Sequence, residues 1–533
     1  MKKLVVMLLV LSMILTLAAC GKGSTTGTTT PQGSTTAQAE ADDHYDGKPP
    51  ITKKSGQSLK ILARTSNYTN VDIANAEIVK KVIENAGISV NWQLVDHGNY
   101  ADSVAPMLTS GNVDADIIQI PDKDPNQTYI KSGLFVPIDQ YFEYMPNFTA
   151  WLEKNPVIKA EITADDGHIY YVPGTNVGKD YQPVLMYNMV WLKKAGKDIP
   201  KTLDEFVELL RYYKANDMNG NGDPNDEIPM SVTEAFLPYM FGPAFGLDLV
   251  SGFQADENGN VKYAYADKEN YKKYLEFLNG LYKEGLLEVE YTSLNRDQIT
   301  ERVSKDLTGI TFDFSWQMSM LYSPSLPYYD GTEETGFVGA PPLSGTYEGF
   351  YVGRVELGNL FGVNTKSKNI ILACKFLDYA MSDECQEMYQ WGIEGKSYVI
   401  ENGKKKFTEQ AKDNDWLQQL GINPAFVYPA QQSVASTDEL VAGWHAKKNA
   451  EIRQYVKDPW PFIYSTEDEA DIINTYYVDI ETYVKENSTA FITGTRSLSE
   501  FDAYIAGLDS LNLSQVLDVR KAQYARYLKA LKN

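Results

Sequence analysis

From residue 59 onwards the sequence alternates between short apolar runs and longer stretches with helical periodicity. The runs LKILA (59–63), ISVNWQLV (88–95) and DADIIQIP (114–121) have the length and apolar content of strands. Residues 71–86 have helical spacing and separate the first two runs, and another helical stretch precedes the third. Strands that alternate with helices in this way indicate an α/β fold with largely parallel sheets.

The folded body is expected to span residues 58–533 and to contain more than one lobe. A chain of this length exceeds what one small hydrophobic core organises. A clear helix is expected after Thr202, because TLDE forms a capping box there. Three dipeptides between β-rich runs predict hairpin turns: Asp166-Gly167, Asn258-Gly259 and Asn402-Gly403.

Residues 1–20 have the pattern of a secretory signal. Two lysines precede an apolar run, residues 4–17, that is shorter than the roughly eighteen residues of a membrane-spanning helix. The run leads into LAAC (17–20), which resembles the bacterial lipobox, so we expect Cys20 to carry a diacylglycerol anchor. Ordinary signal cleavage beside an incidental cysteine is the alternative.

Residues 21–57 are predicted to form a disordered tether. The segment is rich in Gly, Ser and Thr and has almost no apolar side chain to bury, so it cannot offset the entropy of ordering. The anchor and the tether together predict a protein held by lipid at the extracellular face of the cell membrane.

Charge and the scarcity of Cys and His exclude several functions. The formal net charge is −22 without any Lys/Arg-rich run, so nucleic acid is not an expected partner. Besides Cys20 there are only Cys374 and Cys385; a single helix would hold them about 16 Å apart, so two buried free thiols are expected. The 4 histidines are scattered and no GxSxG elbow occurs, which predicts neither a zinc site nor a catalytic residue.

The stretch NDMNGNGDPNDEIPM (216–230) places oxygen-bearing side chains on alternating positions. Positions one, three, five and seven, with a glycine at six, are Asp217, Asn219, Asn221 and Asp223. This is the first half of an EF-hand loop, in which alternating oxygens coordinate Ca²⁺ and the glycine allows a sharp turn. The spacing therefore predicts a calcium site.

The second half of this loop departs from the EF-hand pattern. Position twelve is Ile228 instead of glutamate, and Pro229 blocks a normal exiting helix. We expect Asp226 and Glu227 to complete a structural Ca²⁺ site, because a loop without its second helix cannot open as calcium sensors do. A polar turn without metal is the alternative, since Asn, Asp and Gly also favour bare turns. A catalytic carboxylate cluster is less favoured.

The lipobox, the tether, the α/β body and this loop together resemble the bacterial extracellular solute-binding lipoproteins of ABC importers. The most similar branch is the large carbohydrate-binding one (family 1 type), which includes alginate- and maltodextrin-binding proteins. The ordered matches are MLTSGNVDADII (107–118), SGLFVPIDQYF (132–142), VLMYNMVWLKKAGKDIPKTLDEF (184–206), NGNVKYAY (258–265), LYKEGLL (281–287), WGIEGKSY (391–398), FITG (491–494) and AQYARYL (522–528). The family's calcium loop is usually one residue shorter in its second half, which leaves open which of Asp223, Asn225 and Asp226 coordinate.

The resemblance implies an α/β, two-lobe periplasmic-binding-protein-like fold of type II, with a ligand cleft between the lobes. Lobe 1 would comprise residues of about 58–175 plus 345–392, and lobe 2 residues of about 180–340 plus 398–533. Segments that cross between the lobes are expected near residues 174–184, 338–347 and 390–400.

The resemblance also implies a function. The cleft would bind an oligosaccharide and close by a hinge motion that the ligand stabilises by touching both lobes. The closed form would then be recognised by the permease subunits of an ABC transporter. The protein would act as a monomer, and no bond would be made or broken.

Candidate ligand contacts are polar and aromatic residues at predicted strand ends or near the last crossing. Aromatic faces and polar groups bind neutral saccharides, and ligands of open α/β sheets lie outside the carboxyl ends of strands. The candidates are Asn67, Tyr68, Asp124, Asp313, Trp316, Trp391 and Glu394. Trp316 matches a place where the resembled maltodextrin binders stack a tryptophan on sugar, and Asp124 matches an acid placed on hydroxyls. Simple packing is the alternative for each aromatic.

Two other functions are compatible with this sequence. A secreted glycoside hydrolase would also be rich in Tyr, Trp and carboxylates, but it needs two acids at a fixed separation across a cleft. A binding protein for a non-sugar solute, such as a peptide, would have the same fold. The tether and the ordered matches favour binding over hydrolysis.

Overall fold

The structure, a computed structural model, describes residues 44–65, 71–223, 225–256, 258–422 and 427–532. These residues contain two large hydrophobic cores. The first lobe is defined by the core of residues 45–172, 357–430 and Tyr464, and the second lobe by the core of residues 184–351, Ile452 and 480–516. None of the helices in the described ranges has the length and apolarity needed to cross a lipid bilayer.

The apolar runs form strands as predicted, and the first three lie side by side in the first lobe. The strands are β1 (Ser58–Arg64), β2 (Ser89–Val95), β3 (Ile117–Gln119), β4 (Tyr171–Thr175), β5 (Pro183–Asn188), β6 (Phe253–Ala255), β7 (Val261–Tyr263), β8 (Ile310–Phe314), β9 (Phe337–Gly339), β10 (Tyr351–Val352), β11 (Leu357–Val363), β12 (Tyr398–Glu401), β13 (Lys404–Phe407) and β14 (Val456–Lys457). The first lobe has a five-stranded sheet of order β2-β1-β3-β11-β4, and the second has a three-stranded sheet of order β8-β5-β9. The hairpins β6–β7 and β12–β13 confirm two of the predicted turns.

The prediction of largely parallel sheets is right for the first lobe and wrong for the second. β1 pairs in parallel with β2 and β3, and only β11 runs against its neighbours β3 and β4 in that sheet. In the second lobe β5 is antiparallel to both β8 and β9. The pairing of the strand ends shows this. The first residue of β5, Pro183, pairs with the last residue of β8, Phe314, so the two strands run in opposite directions.

Helices pack their apolar faces against both sheets. They are α1 (Glu77–Ala86), α2 (Tyr100–Ser110), α3 (Thr128–Lys131), α4 (Pro146–Lys154), α5 (Pro156–Ile162), α6 (Met189–Ala195), α7 (Leu203–Ala215), α8 (Leu237–Phe241), α9 (Asn270–Lys283), α10 (Arg296–Ser304), α11 (Ser323–Ser325), α12 (Ile370–Ala380), α13 (Asp383–Trp391), α14 (Asn414–Leu420), α15 (Val434–Leu440), α16 (Gly443–Ile452), α17 (Glu467–Ile472), α18 (Val478–Thr493), α19 (Phe501–Ser510) and α20 (Leu513–Ala530). The predicted capping box begins α7: the Thr202 hydroxyl accepts from the Glu205 amide at 3.2 Å, and the Glu205 carboxylate accepts from the Thr202 amide at 3.3 Å. Cys374 and Cys385 are buried free thiols, as predicted.

Within the described residues the chain passes between the two cores five times, because Tyr464 returns to the first core between Ile452 and Ile480 of the second; the first three passages are called crossing segments. We define the first crossing as residues 173–183, the second as 352–356 and the third as 431–451, from the consecutive core residues on either side. The second and third lie later in the chain than we expected. Residues 398–422 and 427–430 pack with the first lobe instead of the second, because Tyr398 and Phe407 of the β12–β13 hairpin are buried in the first core.

Residues 44–57, which we expected in the tether, pack against the first lobe. Tyr45 and Ile51 are buried, and the Tyr45 hydroxyl donates a 2.8 Å hydrogen bond to the carboxylate of Asp378. That carboxylate also accepts from the Asn147 side chain at 2.7 Å and from the Phe148 amide at 2.8 Å. Burial raises the pKa of Asp378 to about 6, although these hydrogen bonds lower it. Two buried apolar side chains and one hydroxyl thus hold this otherwise polar segment against the first lobe.

Removing residues 1–57 is expected to destabilise the protein, whereas removing residues 1–43 is not. The shorter chain loses Tyr45 and Ile51 from the core and one donor from buried Asp378, a loss of about 3 kcal/mol or more. Thermal unfolding of the two truncated proteins measures the difference. Equal melting temperatures would show that residues 44–57 belong to the tether after all.

Candidate functional site

Two stacked aromatic rings lie where the sheet of the second lobe meets the crossing segments. Phe314 ends β8, Trp316 follows two residues later, and their ring centroids are 4.8 Å apart with an interplanar angle of 10°. The strand alternation explains their exposure, because Asp313 and Ser315 point into the lobe while Phe314 and Trp316 stay partly exposed. We call Phe314 and Trp316 the aromatic pair.

All three crossing segments contact the aromatic pair. The ring of Tyr181, in the first crossing, lies 6.5 Å from that of Trp316, and Trp316 also packs against a small apolar cluster that includes Val441 of the third crossing. The guanidinium of Arg354, in the second crossing, lies 4.9 Å from the ring centroid of Phe314. The pair therefore sits at the boundary between the lobes.

Charged side chains near the same boundary come from the first lobe and from segments that join the lobes. The ammonium of Lys123, beyond β3, lies 5.7 Å from the ring centroid of Phe462. The buried carboxylate of Glu161 accepts a 3.1 Å hydrogen bond from the Phe462 amide. Lys179 of the first crossing forms an ion pair with Asp458. The boundary thus offers cations and carboxylates beside aromatic faces.

Glu161→Gln is expected to remove a pH-dependent part of the stability. Burial raises the pKa of Glu161 from its ordinary value of 4.5 to about 7, although the Phe462 hydrogen bond and nearby Lys123 lower it. The folded state therefore binds this proton more tightly than the unfolded state. Its stabilising contribution is present below the unfolded pKa and is lost as pH rises through the folded pKa. Glutamine keeps the acceptor for the Phe462 amide without ionising.

The measurement is the melting temperature of both proteins between about pH 5 and pH 8. We expect the wild type to lose stability relative to the Glu161→Gln variant as pH rises. Parallel curves for the two proteins would contradict the raised pKa.

Asp313, one of the predicted ligand contacts, is buried and bound by the protein itself. Its carboxylate accepts from Nε and Nη2 of Arg296 at 2.6 and 2.7 Å, and from the Tyr322 hydroxyl at 2.7 Å. Its pairing with Arg296 raises the pKa of that guanidinium. In this structure Asp313 holds α10 against β8 and directs no oxygen towards the lobe boundary.

Asp124, another predicted contact, is also buried. Its carboxylate accepts from the amides of Thr128 and Tyr129 at 2.7 and 3.0 Å, and from the Tyr171 hydroxyl at 3.2 Å. Burial raises the pKa of Asp124 to about 6, although these hydrogen bonds lower it. The side chain therefore caps the first turn of α3 in this structure.

Of the remaining candidates, the two that the structure describes lie in the first lobe. Trp391, at the end of α13, is buried in the first core, where its ring stacks on Phe407 with centroids 5.0 Å apart. Glu394 is exposed in the turn that follows α13. Asn67 and Tyr68 lie outside the described residues. Among the described candidates, Trp316 combines a partly exposed ring with a place at the lobe boundary.

Phe314 and Arg354 belong to this boundary although the sequence analysis did not select them. The alternation within ITFDF (310–314) could have shown that Phe314 and Asp313 face opposite ways. No sequence pattern indicates the position of Arg354, because that position depends on which residues form the second crossing segment.

The predicted calcium loop follows α7 and folds around Glu227. Oε1 of Glu227 accepts from the Met218 amide at 2.6 Å, whereas Oε2 is buried without a hydrogen-bond partner among the described residues. Both carboxylate oxygens of Asp217 accept from backbone amides, those of Gly220 at 2.6 Å and Gly222 at 2.9 Å. Gly222 has a φ of +93°, which a side chain would strain.

The other oxygen-bearing side chains of the loop bind backbone amides of the loop or one another. Oδ1 of Asn219 accepts from the Asn221 amide at 2.9 Å, and Oδ1 of Asn221 accepts from the Asp223 amide at 2.7 Å. The Asn221 side chain donates to Asp226 at 2.6 Å. Within the described ranges no three His, Cys, Asp or Glu side chains converge as a metal-binding group. The residues still fit a cation, because EF-hand-like sites also use amide and backbone oxygens and Oε2 of Glu227 is a buried oxygen without a partner.

Two α/β lobes, joined by three crossing segments with aromatic faces at their boundary, define a two-lobe binding protein. The chain belongs to the bacterial extracellular solute-binding protein family, whose family model matches residues 77–395, more than half of the 533 residues. It is similar to the fructooligosaccharide ABC transporter substrate-binding protein FusA of Streptococcus pneumoniae serotype 4 (strain ATCC BAA-334 / TIGR4). The two are 24% identical over 525 residues, which covers 90% of this chain and 91% of FusA.

Solved structures share this fold at low sequence identity. An HMO-binding, ABC-transporter-associated solute-binding protein from Bifidobacterium longum infantis ATCC 15697 has a TM-score of 0.73 and 20% identity, covering 89% of this chain and 99% of its own. An EF-hand mutant of S. pneumoniae FusA in complex with fructo-nystose has a TM-score of 0.71 and 21% identity, covering 89% and 100%. The alginate-binding protein AlgQ2 without calcium ion has a TM-score of 0.68 and 21% identity, covering 89% and 98%.

Proposed function

We propose that this protein is the substrate-binding component of an ABC importer and that it captures an oligosaccharide. The observation that carries the proposal is the aromatic pair at the lobe boundary, since flat aromatic faces suit the C–H faces of sugar rings. Arg354 and Lys123 supply donors for sugar hydroxyls there. The names of FusA, the HMO-binding protein and AlgQ2 support the same class of ligand for this chain.

Ligand binding is proposed to stabilise the closed arrangement of the lobes. The aromatic pair belongs to the second lobe, Arg354 to a crossing segment and Lys123 to the first lobe. A ligand that contacts all three favours the conformation in which they are close together. A permease would recognise this form, and the sugar would leave chemically unchanged.

The location proposed is the outer face of the cell membrane, with the protein a monomer held by a lipid on Cys20. Cys20 lies outside the described residues, so the proposal rests on the LAAC sequence and on membership of an extracellular family.

The test is a thermal-shift screen of saccharides followed by product analysis. Fructooligosaccharides, alginate oligomers and maltodextrins are incubated with the purified protein, and a peptide mixture serves as the non-sugar comparison. A true ligand at one hundred times its Kd stabilises the fold by about 2.7 kcal/mol. We expect one saccharide class to raise the melting temperature and to be recovered intact by chromatography. Cleaved saccharide would instead indicate a glycoside hydrolase, and stabilisation by peptides alone would indicate a different solute.

We also propose that the loop after α7 binds a structural Ca²⁺ ion. The ligands would come from Asp217, Asn219, Asn221, Asp223, Asp226 and Glu227. The EF-hand-like spacing and the unpartnered Oε2 of Glu227 support this, as do an EF-hand in FusA and a calcium-free form of AlgQ2. A bound ion would cross-link the end of α7 to the segment that leads to Pro229, without any part in ligand chemistry.

Chelation is expected to lower the melting temperature, and added Ca²⁺ to restore it. Because the ion would bind only the folded chain, saturation at one hundred times its Kd is worth about 2.7 kcal/mol. Asp217→Asn should abolish the effect of chelator. The matched control is Asp256→Asn, which changes an exposed carboxylate that likewise accepts from backbone amides in a turn, those of Asn258 and Asn260. An unchanged melting temperature in chelator would contradict the proposal.

A further inference from the structure

The second lobe contains a cavity of about 380 Å³ that is separate from the aromatic pair. Its described lining residues all belong to the second lobe or pack against the second core. Six of them are tyrosines: Tyr263, Tyr265, Tyr271, Tyr274, Tyr291 and Tyr477. A volume of this size is within the usual range of small-molecule sites, roughly 300–1,000 Å³.

The tyrosine rings form a continuous wall. The centroid of Tyr265 lies 5.5 Å from that of Tyr263 and 5.2 Å from that of Tyr271, and Tyr271 stacks on Tyr274 at 5.8 Å. Tyr477 extends the wall at 6.4 Å from Tyr263. Of the six tyrosines, Tyr265 and Tyr477 are partly exposed, whereas the other four are buried.

Several hydroxyl groups of this wall are already bound within the protein. The Tyr265 hydroxyl donates to the Leu249 carbonyl at 2.7 Å, and the Tyr271 hydroxyl pairs with the Ser488 hydroxyl at 2.5 Å. Ser488 also donates to the Val484 carbonyl. A saccharide needs several donors and acceptors for each ring. Beside its ring faces the wall keeps one buried hydroxyl without a hydrogen-bond partner among the described residues, that of Tyr291.

Two carboxylates complete the lining and give it a negative charge. Glu234 accepts from the Thr489 hydroxyl at 3.1 Å, and its side chain is 29% exposed. Glu481 lies on α18 beside Tyr477; the residue is exposed, and partial desolvation raises its pKa. The basic side chain of the described lining, Lys485, is 75% exposed and only 4.0 Å from Glu234 at its nearest approach. Two carboxylates against one ammonium leave the lining itself one negative charge in excess, which the guanidinium of Arg520 outside the lining offsets.

A guanidinium that does not line the cavity already contacts one of these rings. The guanidinium of Arg520 is 5.5 Å from the centroid of Tyr477 and 5.0 Å from that of Phe253. Arg520 also attracts Glu481, which lowers the pKa of that exposed carboxylate. It does not line the cavity, so the ring faces on the cavity side stay available.

We propose that this cavity binds a small organic cation, namely a quaternary or protonated amine with apolar substituents. Electron-rich tyrosine faces attract such a cation. Glu234 and Glu481 supply the countercharge. The site lies within one lobe and does not depend on the oligosaccharide proposal.

The test is isothermal titration of the mature full-length protein with choline and with its neutral isostere, the alcohol in which carbon replaces the quaternary nitrogen. The two probes have the same shape and differ in charge. We expect choline to bind at least about tenfold more tightly. Glu481→Gln is expected to weaken choline binding about tenfold and to leave the alcohol unaffected. Tyr477→Leu is expected to weaken choline binding while the fold, checked by circular dichroism, is retained.

Glu276→Gln is the matched control, because it removes an exposed carboxylate of α9 that does not line the cavity. It should leave choline binding unchanged. Equal affinities for choline and the alcohol, or no binding of choline, would overturn the proposal whether or not the variants fold. Undiminished choline binding in a folded Glu481→Gln variant would overturn it as well. Thermal shifts with oligosaccharide should be the same in wild type and Glu481→Gln, which separates this cavity from the lobe boundary.

Discussion

Arg296→Leu is expected to destabilise the protein by about 3–5 kcal/mol, because it leaves the buried carboxylate of Asp313 without a countercharge. The guanidinium donates two hydrogen bonds of 2.6 and 2.7 Å to Asp313, whose side chain is only 3% exposed. The Tyr322 hydroxyl would remain, but a neutral donor does not replace a cation beside a desolvated anion. Urea denaturation of the purified proteins measures the loss.

Arg211→Leu is the matched control for this prediction. Arg211 forms the same bidentate pair with Glu284, with Nε and Nη2 donating to the carboxylate oxygens at 2.7 and 2.8 Å. The Glu284 side chain, however, is 44% exposed. Water can solvate Glu284 when its partner is removed, so the expected cost is below about 1 kcal/mol. Adding Asp313→Asn to Arg296→Leu should recover part of the loss, since no charge then remains buried. Equal losses of stability in Arg296→Leu and Arg211→Leu would show that burial of the partner carboxylate does not determine the size of the loss.

Asp313 shows which features of the site could be predicted from the sequence and which could not. The end of the apolar strand β8 was predicted correctly: Asp313 is its penultimate residue and Trp316 follows the strand by two residues. The direction of the carboxylate depends on Arg296, which is 17 residues away on α10 and reaches it only through tertiary packing. Asp124 differs, because its partners Thr128 and Tyr129 are close in sequence, although it precedes the N-cap residue Gln127 by three positions and the N-cap preference alone does not indicate its role.

The same distinction separates the parts of the fold that were predicted from those that were not. β1, β2 and β3, the capping box of α7 and two hairpin turns depend on local periodicity and turn chemistry, and all are present. The antiparallel sheet of the second lobe and the packing of residues 398–422 depend on contacts between distant segments. The burial of residues 44–57 depends on Asp378, which no local pattern connects to Tyr45.

Phe314→Leu is expected to weaken oligosaccharide binding by about 30-fold or more, which corresponds to about 2 kcal/mol. Leucine keeps an apolar side chain at the end of β8 but removes the flat face that stacks on Trp316 and lies under Arg354. Trp316→Ala is expected to have a similar effect on affinity. It should also lower stability, because Trp316 packs against the cluster of Tyr181 and Val441. Trp316→Phe keeps a flat ring and should retain most of the affinity. Titration with the saccharide found in the thermal-shift screen measures each value.

Phe407→Leu is the control that distinguishes a ligand platform from an ordinary stacked pair. Phe407 stacks on Trp391 at 5.0 Å, much as Phe314 stacks on Trp316, but it lies in the core of the first lobe. Its replacement should lower the melting temperature and leave the affinity for saccharide unchanged. The opposite result, with affinity lost in Phe407→Leu and kept in Phe314→Leu, would move the ligand to the first-lobe residues Trp391 and Glu394. Because both variants remove one ring from a stacked pair, the difference between them reports where the sugar lies and not how stacking stabilises the fold.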